Sequence, residues 1–270
     1  MKPPEGIRRL SELQQRVLVG VALIAVALLA LVIGGIPFWL LCVVLGLLMM
    51  GEWADLAGAP PERKRLAQFA LSVPLALMMP LLGAGPGFLT LGLVIGAAFF
   101  VVIVTQRRML AAGVIYVGLP VLGLLVLRKQ PEGVVFALWA MALVWLCDIG
   151  AYFAGRAIGG PKLAPRISPN KTWAGLVGGV VAASVFGLLM HWQYGLAWRL
   201  TLSSPILAVL AQGGDLFESW LKRRAGVKDS GSLLPGHGGV LDRLDGLVPV
   251  APVAAFIAVA VPKIYPLLPL

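Results

Sequence analysis

Apolar residues fall in long blocks along this chain, separated by short polar segments. A helix that crosses a bilayer needs about 20 mostly apolar residues, with a working range of roughly 17–25. Nine blocks are candidates: 17–34, 36–51, 66–83, 87–105, 109–127, 133–155, 173–190, 201–221 and 246–267. The first contains VLVGVALIAVALLALVI and is unambiguous. Its length, and the blocks that follow it, mark it as a retained span rather than the core of a cleaved signal. The eighth and ninth are weaker because they carry acids or several prolines. No gap holds a soluble domain, and no internal repeat is visible. The pattern predicts an all-α, polytopic membrane protein of about nine transmembrane helices.

Composition strengthens this reading. Of 270 residues, 59% are apolar and 13% charged, and the mean hydropathy is +0.93. Soluble chains run at roughly 45–50% apolar and about 25% charged, so one compact soluble domain is excluded. Low polarity excludes disorder, and the lack of a glycine triplet period excludes a collagen-like chain. Cys42 and Cys147 both lie inside apolar blocks and form no C-x-x-C pair, so they read as small buried hydrophobes.

The net charge is +10. The cations sit in short clusters between apolar blocks, which points to topology and anionic lipid headgroups rather than nucleic acid. With the N-terminus cytoplasmic, inside segments hold Lys2, Arg8, Arg9 and Arg16; Arg63, Lys64 and Arg65; Arg107 and Arg108; Arg156, Lys162, Arg166 and Lys171; and Lys222, Arg223, Arg224, Lys228 and Arg243. Outside segments hold only Arg128, Lys129, Arg199 and Lys263. Eighteen of the 22 basic residues are thus inside, as the positive-inside rule requires, and adding or losing an upstream span would spoil the bias.

The twelve acids divide into two groups. Glu5, Glu12 and Glu62 lie in polar segments as solvated charge, and Glu132 reads as a helix-start charge after Pro131. Glu52 and Asp55 end the second block and suggest no particular role. Asp148, Asp215, Glu218, Asp229, Asp242 and Asp245 differ, because all lie in or beside the cytoplasmic ends of the sixth, eighth and ninth blocks. A carboxylate at membrane depth is costly and marks a functional site by default. The bland alternatives are an ion pair of Asp148 with Arg156, an N-cap role for Asp242, and a pair of Asp245 with Arg243 or Arg223.

The loop GGPKLAPRISPNKTWAG follows Asp148. It gathers Lys162, Arg166 and Lys171 with the hydrogen-bonding side chains Ser168, Asn170 and Thr172. Pro169 fixes its backbone, and Thr172 is placed to cap the seventh span. Cations beside a helix start can hold phosphate, although a merely basic topogenic loop has the same composition. Asp215, Glu218, Ser219 and Lys222 share one helical face. Gly213 and Gly214 clear the turn before Asp215 for a ligand or another helix. Gly236, Gly238 and Gly239 surround His237 and permit a tight turn.

Carboxylates at one depth beside many cations suit a divalent metal with phosphates. An ion or proton pathway is the rival. The acids cluster at one face instead of stepping through the membrane, and no paired broken-helix repeats appear. Serine-hydrolase, P-loop and zincin motifs are absent from the sequence.

Ser219-x-Leu221-Lys222-Arg223, Lys228-Asp229-x-Gly231 and Leu234-Pro235-x-His237-Gly238-Gly239-Val240-x-Asp242-Arg243-Leu244-Asp245 span 27 residues with more than a dozen fixed positions. This segment resembles the signature of the CDP-diacylglycerol synthase, or phosphatidate cytidylyltransferase, family. Asp148 to Gly175, with DIGAYFAGR and SPNKTWAG, resembles the family too, so the likeness spans roughly 140–250. Two positions depart from it: Ala174 stands where members usually carry an acid, and Asn170 replaces a frequent Lys.

The resemblance implies that CTP and phosphatidic acid give CDP-diacylglycerol and pyrophosphate, with Mg²⁺ and a second, monovalent cation such as K⁺, in a homodimer. It makes Asp215 and Asp242 the metal ligands, with Glu218 and Asp245 beside them. Lys171, Arg223 and Lys228 would hold phosphates, and His237 would assist the leaving pyrophosphate. Ser168, Asn170, Thr172, Lys222 and Asp148 would belong to the nucleotide or second-cation site, and Asp229 would orient. Residues 131–270 would form the cytidylyltransferase membrane domain, with 1–130 an anchoring, dimer-forming or lipid-facing part. A CTP-dependent lipid kinase and a transporter remain the alternatives.

Overall fold

Backbone N–H and C=O groups find no water in hydrocarbon, so an apolar block there must satisfy them within itself as a helix. A computed structural model describes residues 12–233 and 238–259, with side chains from residue 19 onward. Each of the nine apolar blocks forms a helix. They are α1 (Glu12–Ile33), α2 (Gly35–Leu56), α3 (Pro61–Leu77), α4 (Phe88–Thr105), α5 (Arg108–Lys129), α6 (Gly133–Ile158), α7 (Trp173–Tyr194) and α8 (Trp198–Arg224), then a single turn, α9 (Leu241–Leu244), and α10 (Leu247–Val259). Six of these, α2 and α4 to α8, are long and apolar enough to cross a membrane. Val19–Ile33 within α1 and the whole of α10 are shorter apolar helices. The end of the ninth block, Lys263, His237 and the polar residues 1–11 lie outside the described residues.

Two boundaries differ from the sequence pattern in ways that matter. Helix α2 runs five residues past its apolar block, to Leu56, and so carries Glu52 as a buried helical residue. The Gly- and Pro-rich segment after α6 is a hairpin rather than an irregular loop. Gly159 and Gly160 turn the chain with φ of 67° and 91°. Strand β1 (Lys162–Ala164) then pairs antiparallel with β2 (Ser168–Thr172), Lys162 opposite Thr172 and Ala164 opposite Ser168. Thr172 closes the hairpin and caps α7, its hydroxyl accepting the Gly175 N–H at 3.0 Å. That is the cap its position in the sequence predicts.

Helices in lipid associate through close packing of small residues, because tails and side chains are equally apolar. The α6–α7 pair shows this. A methyl group on Gly150 would lie 2.6 Å from Ala182 Cβ and 2.8 Å from the Gly178 carbonyl oxygen. Trp139 is wholly buried, and its indole N–H donates to the Ser204 hydroxyl at 3.1 Å. Phe69, Phe99 and Ile206 stay exposed on the outside, as expected where the solvent is a bilayer.

Hydrogen bonds gather the polar segments at the two ends of the bundle. At one end Arg107 reaches the Gly58 carbonyl at 2.9 Å, and Arg63 reaches that of Thr105 at 3.2 Å. At the other, Arg128 holds the Leu31 carbonyl at 2.8 Å. An apolar cavity of about 1000 Å³ opens at this second end, with Lys129, Glu132 and Arg199 among its lining residues. None of the candidate acids of α8 and α9 lines it.

Candidate active site

The C-terminal half of α8 presents acids and a cation on one face. Asp215 accepts from the Ser219 hydroxyl at 3.3 Å, one helical turn on. Lys222 forms an ion pair with Glu218, also one turn away, at 2.5 Å. The shared face expected from the spacing is therefore formed.

Asp215 sits in the first of two charge groups. Lys171, at the end of β2, pairs with Asp215 at 2.6 Å and donates to Gln212 Oε1 at 2.9 Å. The Gln212 amide in turn donates to Asp148 Oδ1 at 3.2 Å. Asp148 on α6 is thereby joined to α8 and the hairpin. Arg156, its suspected partner, instead donates to the Tyr152 hydroxyl at 2.8 Å. Asp245 enters the same group from the turn after α9. Gly214 makes this approach possible, since any side chain there would collide with the Asp245 carbonyl and Pro249. Gly213, its neighbour, faces open space. Asp245 is largely buried, and its carboxyl accepts the Gly246 N–H at 2.7 Å. Burial, then the negative charges of Asp215 and Asp148, pushes its pKa from 3.8 up to about 7.

Asp242 sits in the second group. One oxygen takes Lys222 at 2.5 Å. The other accepts the Ser230 N–H at 2.9 Å, the Ser230 hydroxyl at 2.9 Å and the Gly239 N–H at 2.8 Å. Burial alone would raise its pKa, but contacts with Glu218, Lys222, Gly239 and Ser230 outweigh it and hold the carboxyl at about 2. Glu218 is wholly buried beside Lys222, and among the described residues no hydrogen-bond donor reaches its Oε1. Gly238 has φ of 80°, and a methyl group on it would lie 2.8 Å from Asp242 Oδ2, so this turn needs glycine on both counts.

Three residues complete the network without having been singled out in the sequence. Gln212 bridges Lys171 and Asp148. Ser230 sits between Asp242 and Glu52. Glu52, from α2, accepts the Val240 N–H at 2.9 Å and the Leu241 N–H at 2.7 Å, and its carboxylate lies 3.2 Å from the Ser230 hydroxyl, whose one proton it shares with the nearer Asp242. Glu52 was findable: it is an acid at the end of an apolar block, the feature that flags Asp148. Asp55, also unassigned, pairs with Lys64 on α3.

The remaining candidates are neighbours of these residues in the chain. Arg223, Lys228 and Asp229 are exposed, Asn170 is exposed on β2, and Ser168 is half-buried. Trp53, Tyr116 and Phe217 pack as tilted rings beside the site, with ring centres 4.7 Å apart for the first two and 5.5 Å for the last two. The Tyr116 hydroxyl is buried without a hydrogen-bond partner among the described residues.

The donors are hard carboxylate oxygens, as Mg²⁺ prefers, and Asp148, Asp215 and Asp245 are crowded together with Lys171 as their near cation. Among the described residues no group of three or more acids, histidines or cysteines is arranged to hold a metal ion by itself. Mg²⁺ working with phosphates takes only one or two carboxylates, so the open arrangement fits. Lys171 and Lys222 are the counter-charges of Asp215 and Asp242, and each ammonium must share or yield its acid for a cation to bind.

The description "cytidylyltransferase family" belongs to a family model that matches residues 14–261. The chain belongs to the cytidylyltransferase family. Within it, the phosphatidate cytidylyltransferase of Brucella suis biovar 1 (strain 1330) is 43% identical over 251 residues, which cover 90% of this chain and 92% of that one. The phosphatidate cytidylyltransferase of Rickettsia bellii (strain RML369-C) is 38% identical over 157 residues, 55% of this chain and 68% of the relative. That of Staphylococcus saprophyticus subsp. saprophyticus is 47% identical over 128 residues, 46% of this chain and 49% of the relative. The cytidylyltransferase likeness thus reaches well beyond the 140–250 segment and takes in α2, which supplies Glu52.

Proposed function

We infer that this protein is a phosphatidate cytidylyltransferase, converting CTP and phosphatidic acid to CDP-diacylglycerol and pyrophosphate. The observation that carries this reading is 43% identity to an enzyme of that name across nearly the whole of both chains. The chain is a membrane protein with at least six helices able to span. We propose nine spans with the N-terminus and the acid cluster on the cytoplasmic side, in a bacterial inner membrane. The bias of basic residues supports this orientation. Residues 131–270 would be the catalytic membrane domain, with the N-terminal helices as anchor and dimer- or lipid-facing part, and the working unit a homodimer.

In the proposed reaction a phosphate oxygen of phosphatidate attacks the α-phosphorus of CTP in line. The new P–O–P linkage forms as the bond from the α-phosphorus to the β-phosphoryl oxygen breaks, and pyrophosphate leaves with that electron pair. No protein nucleophile is needed, because the lipid phosphomonoester is already anionic. Lys171, Arg223 and Lys228 bind and orient the phosphates, and Ser168, Asn170 and Thr172 position the nucleotide. His237 protonates or hydrogen-bonds the leaving group. Asp215 and Asp242 would hold Mg²⁺, with Asp148, Glu218, Asp245 and Lys222 as neighbours and a place among them for K⁺. When bound, Mg²⁺ supplies Lewis-acid stabilisation of the charge that develops on the phosphate oxygens.

The test is a pyrophosphate-release assay on purified protein with CTP and phosphatidate, with the lipid products separated. The expected result is equimolar pyrophosphate and CDP-diacylglycerol. Release of CDP would instead identify a lipid kinase, and absence of nucleotide turnover would favour a transporter.

A further inference from the structure

Ser230, Val240 and Leu241 of the signature segment are held by an acid that the signature does not contain. Glu52 is 4% exposed and lies 178 residues before Ser230 in the chain. Its two oxygens accept the Val240 and Leu241 N–H groups, and the Ser230 hydroxyl lies between the two acids, 3.2 Å from Glu52 and 2.9 Å from Asp242, its one proton shared toward the nearer Asp242. Two glycines of the signature make room for it. A methyl group on Gly231 would lie 2.6 Å from Glu52 Oε1, and one on Gly239 would lie 2.7 Å from the same atom. The carboxylate is itself fixed. The adjacent Trp53 is buried, and its indole N–H donates to the Met109 carbonyl at 2.8 Å. Helix α5 admits that ring at Gly113, where any side chain would strike it.

We propose that Glu52 is a positioning residue for Asp242: it clamps the backbone at Val240 and Leu241 and, through Ser230, sets the orientation of the Asp242 carboxylate. Gly231 and Gly239 are then glycines because the clamp occupies the space of their side chains. This rests on the reading that Asp242 works in cytidylyl transfer. Partners that orient a cation's ligands are commonly worth about 10–100-fold in affinity or activity. Gln is a poor substitute, because its amide nitrogen cannot accept an N–H.

The experiment uses the full chain in detergent–lipid micelles, with Glu52→Gln, Ser230→Ala and Asp242→Asn. Hydrogen exchange at the amides of 238–242, with no CTP and no divalent ion present, reads the clamp. Steady-state kinetics at varied Mg²⁺ read its consequence. Glu52→Gln should speed exchange at Val240 and Leu241. It should also raise the Mg²⁺ concentration for half-maximal rate about 10–100-fold, with a smaller change in the KM for CTP. Ser230→Ala should leave the Val240 and Leu241 amides protected yet move the Mg²⁺ dependence in the same direction, which a purely structural role for Glu52 would not do. Unchanged exchange in Glu52→Gln overturns the clamp. An inactive Asp242→Asn beside Glu52→Gln and Ser230→Ala with normal Mg²⁺ dependence overturns the positioning role. An Asp242→Asn that keeps its rate strikes down the underlying reading of Asp242 instead, and the exchange data still decide whether Glu52 holds the segment.

Discussion

At the scale of single residues, the acids were legible because lipid makes an idle carboxylate costly. The same rule would have found Glu52 had the helix been extended past its apolar block. Gln212 and Ser230 were not legible, since a neutral polar side chain gives no such signal and its role comes from which helices meet. Asp215→Asn and Asp242→Asn should each lower turnover by at least about 10²–10³-fold, the scale of losing one electrostatic group at a reacting phosphate or carbonyl. Membrane insertion should be unchanged, as read by pyrophosphate release and by fractionation. Ala174→Glu should leave the rate near normal.

Titration distinguishes the acids of the two groups. Asp245, raised from 3.8 to about 7, keeps a proton in the fold that the unfolded chain releases. Its contribution to stability is complete below pH ~4 and is lost as pH rises through about 7. In a chelator the melting temperature of the native protein should fall over that window, and that of Asp245→Asn should fall less. Asp242, held at about 2 against 3.8, behaves oppositely. Its stabilisation is present above pH ~4 and is lost as pH falls toward 2, so it stays charged across any physiological assay.

At the scale of elements, helix existence followed from apolar block length. Helix ends did not, because basic and acidic residues extend α2, α3 and α8 beyond their blocks at the polar boundary. The hairpin was illegible because β1 and β2 are only three and five residues long and lack alternation. Its closing residue was legible through capping chemistry. Thr172→Ala removes the bond to Gly175 and should cost about 1 kcal/mol, measurable as a lower melting temperature. Gly178→Leu should do far more. Any Cβ there meets Ala154, so α6 and α7 must separate, and the yield of folded protein should collapse.

At the scale of the whole molecule, the alternation of apolar blocks anticipated which polar segments meet. The α2–α3 and α4–α5 connections, both expected inside, touch through Arg63 and Arg107. The N-terminal half is more than scaffold to the site, since α2 reaches into the signature segment. Single cysteines in a chain lacking Cys42 and Cys147 would test orientation. Gln106→Cys should react with an impermeant reagent only after the membrane is opened, and Gly195→Cys should react in intact cells. The most direct test of the central claim follows the label of CTP. With CTP carrying ³²P at the α-position, the native protein should move the label into a lipid that requires phosphatidate. With ³²P at the γ-position the label should appear only in pyrophosphate, and Asp215→Asn should do neither. Label from the γ-position entering lipid, or α-label left wholly in soluble nucleotide, would contradict the account.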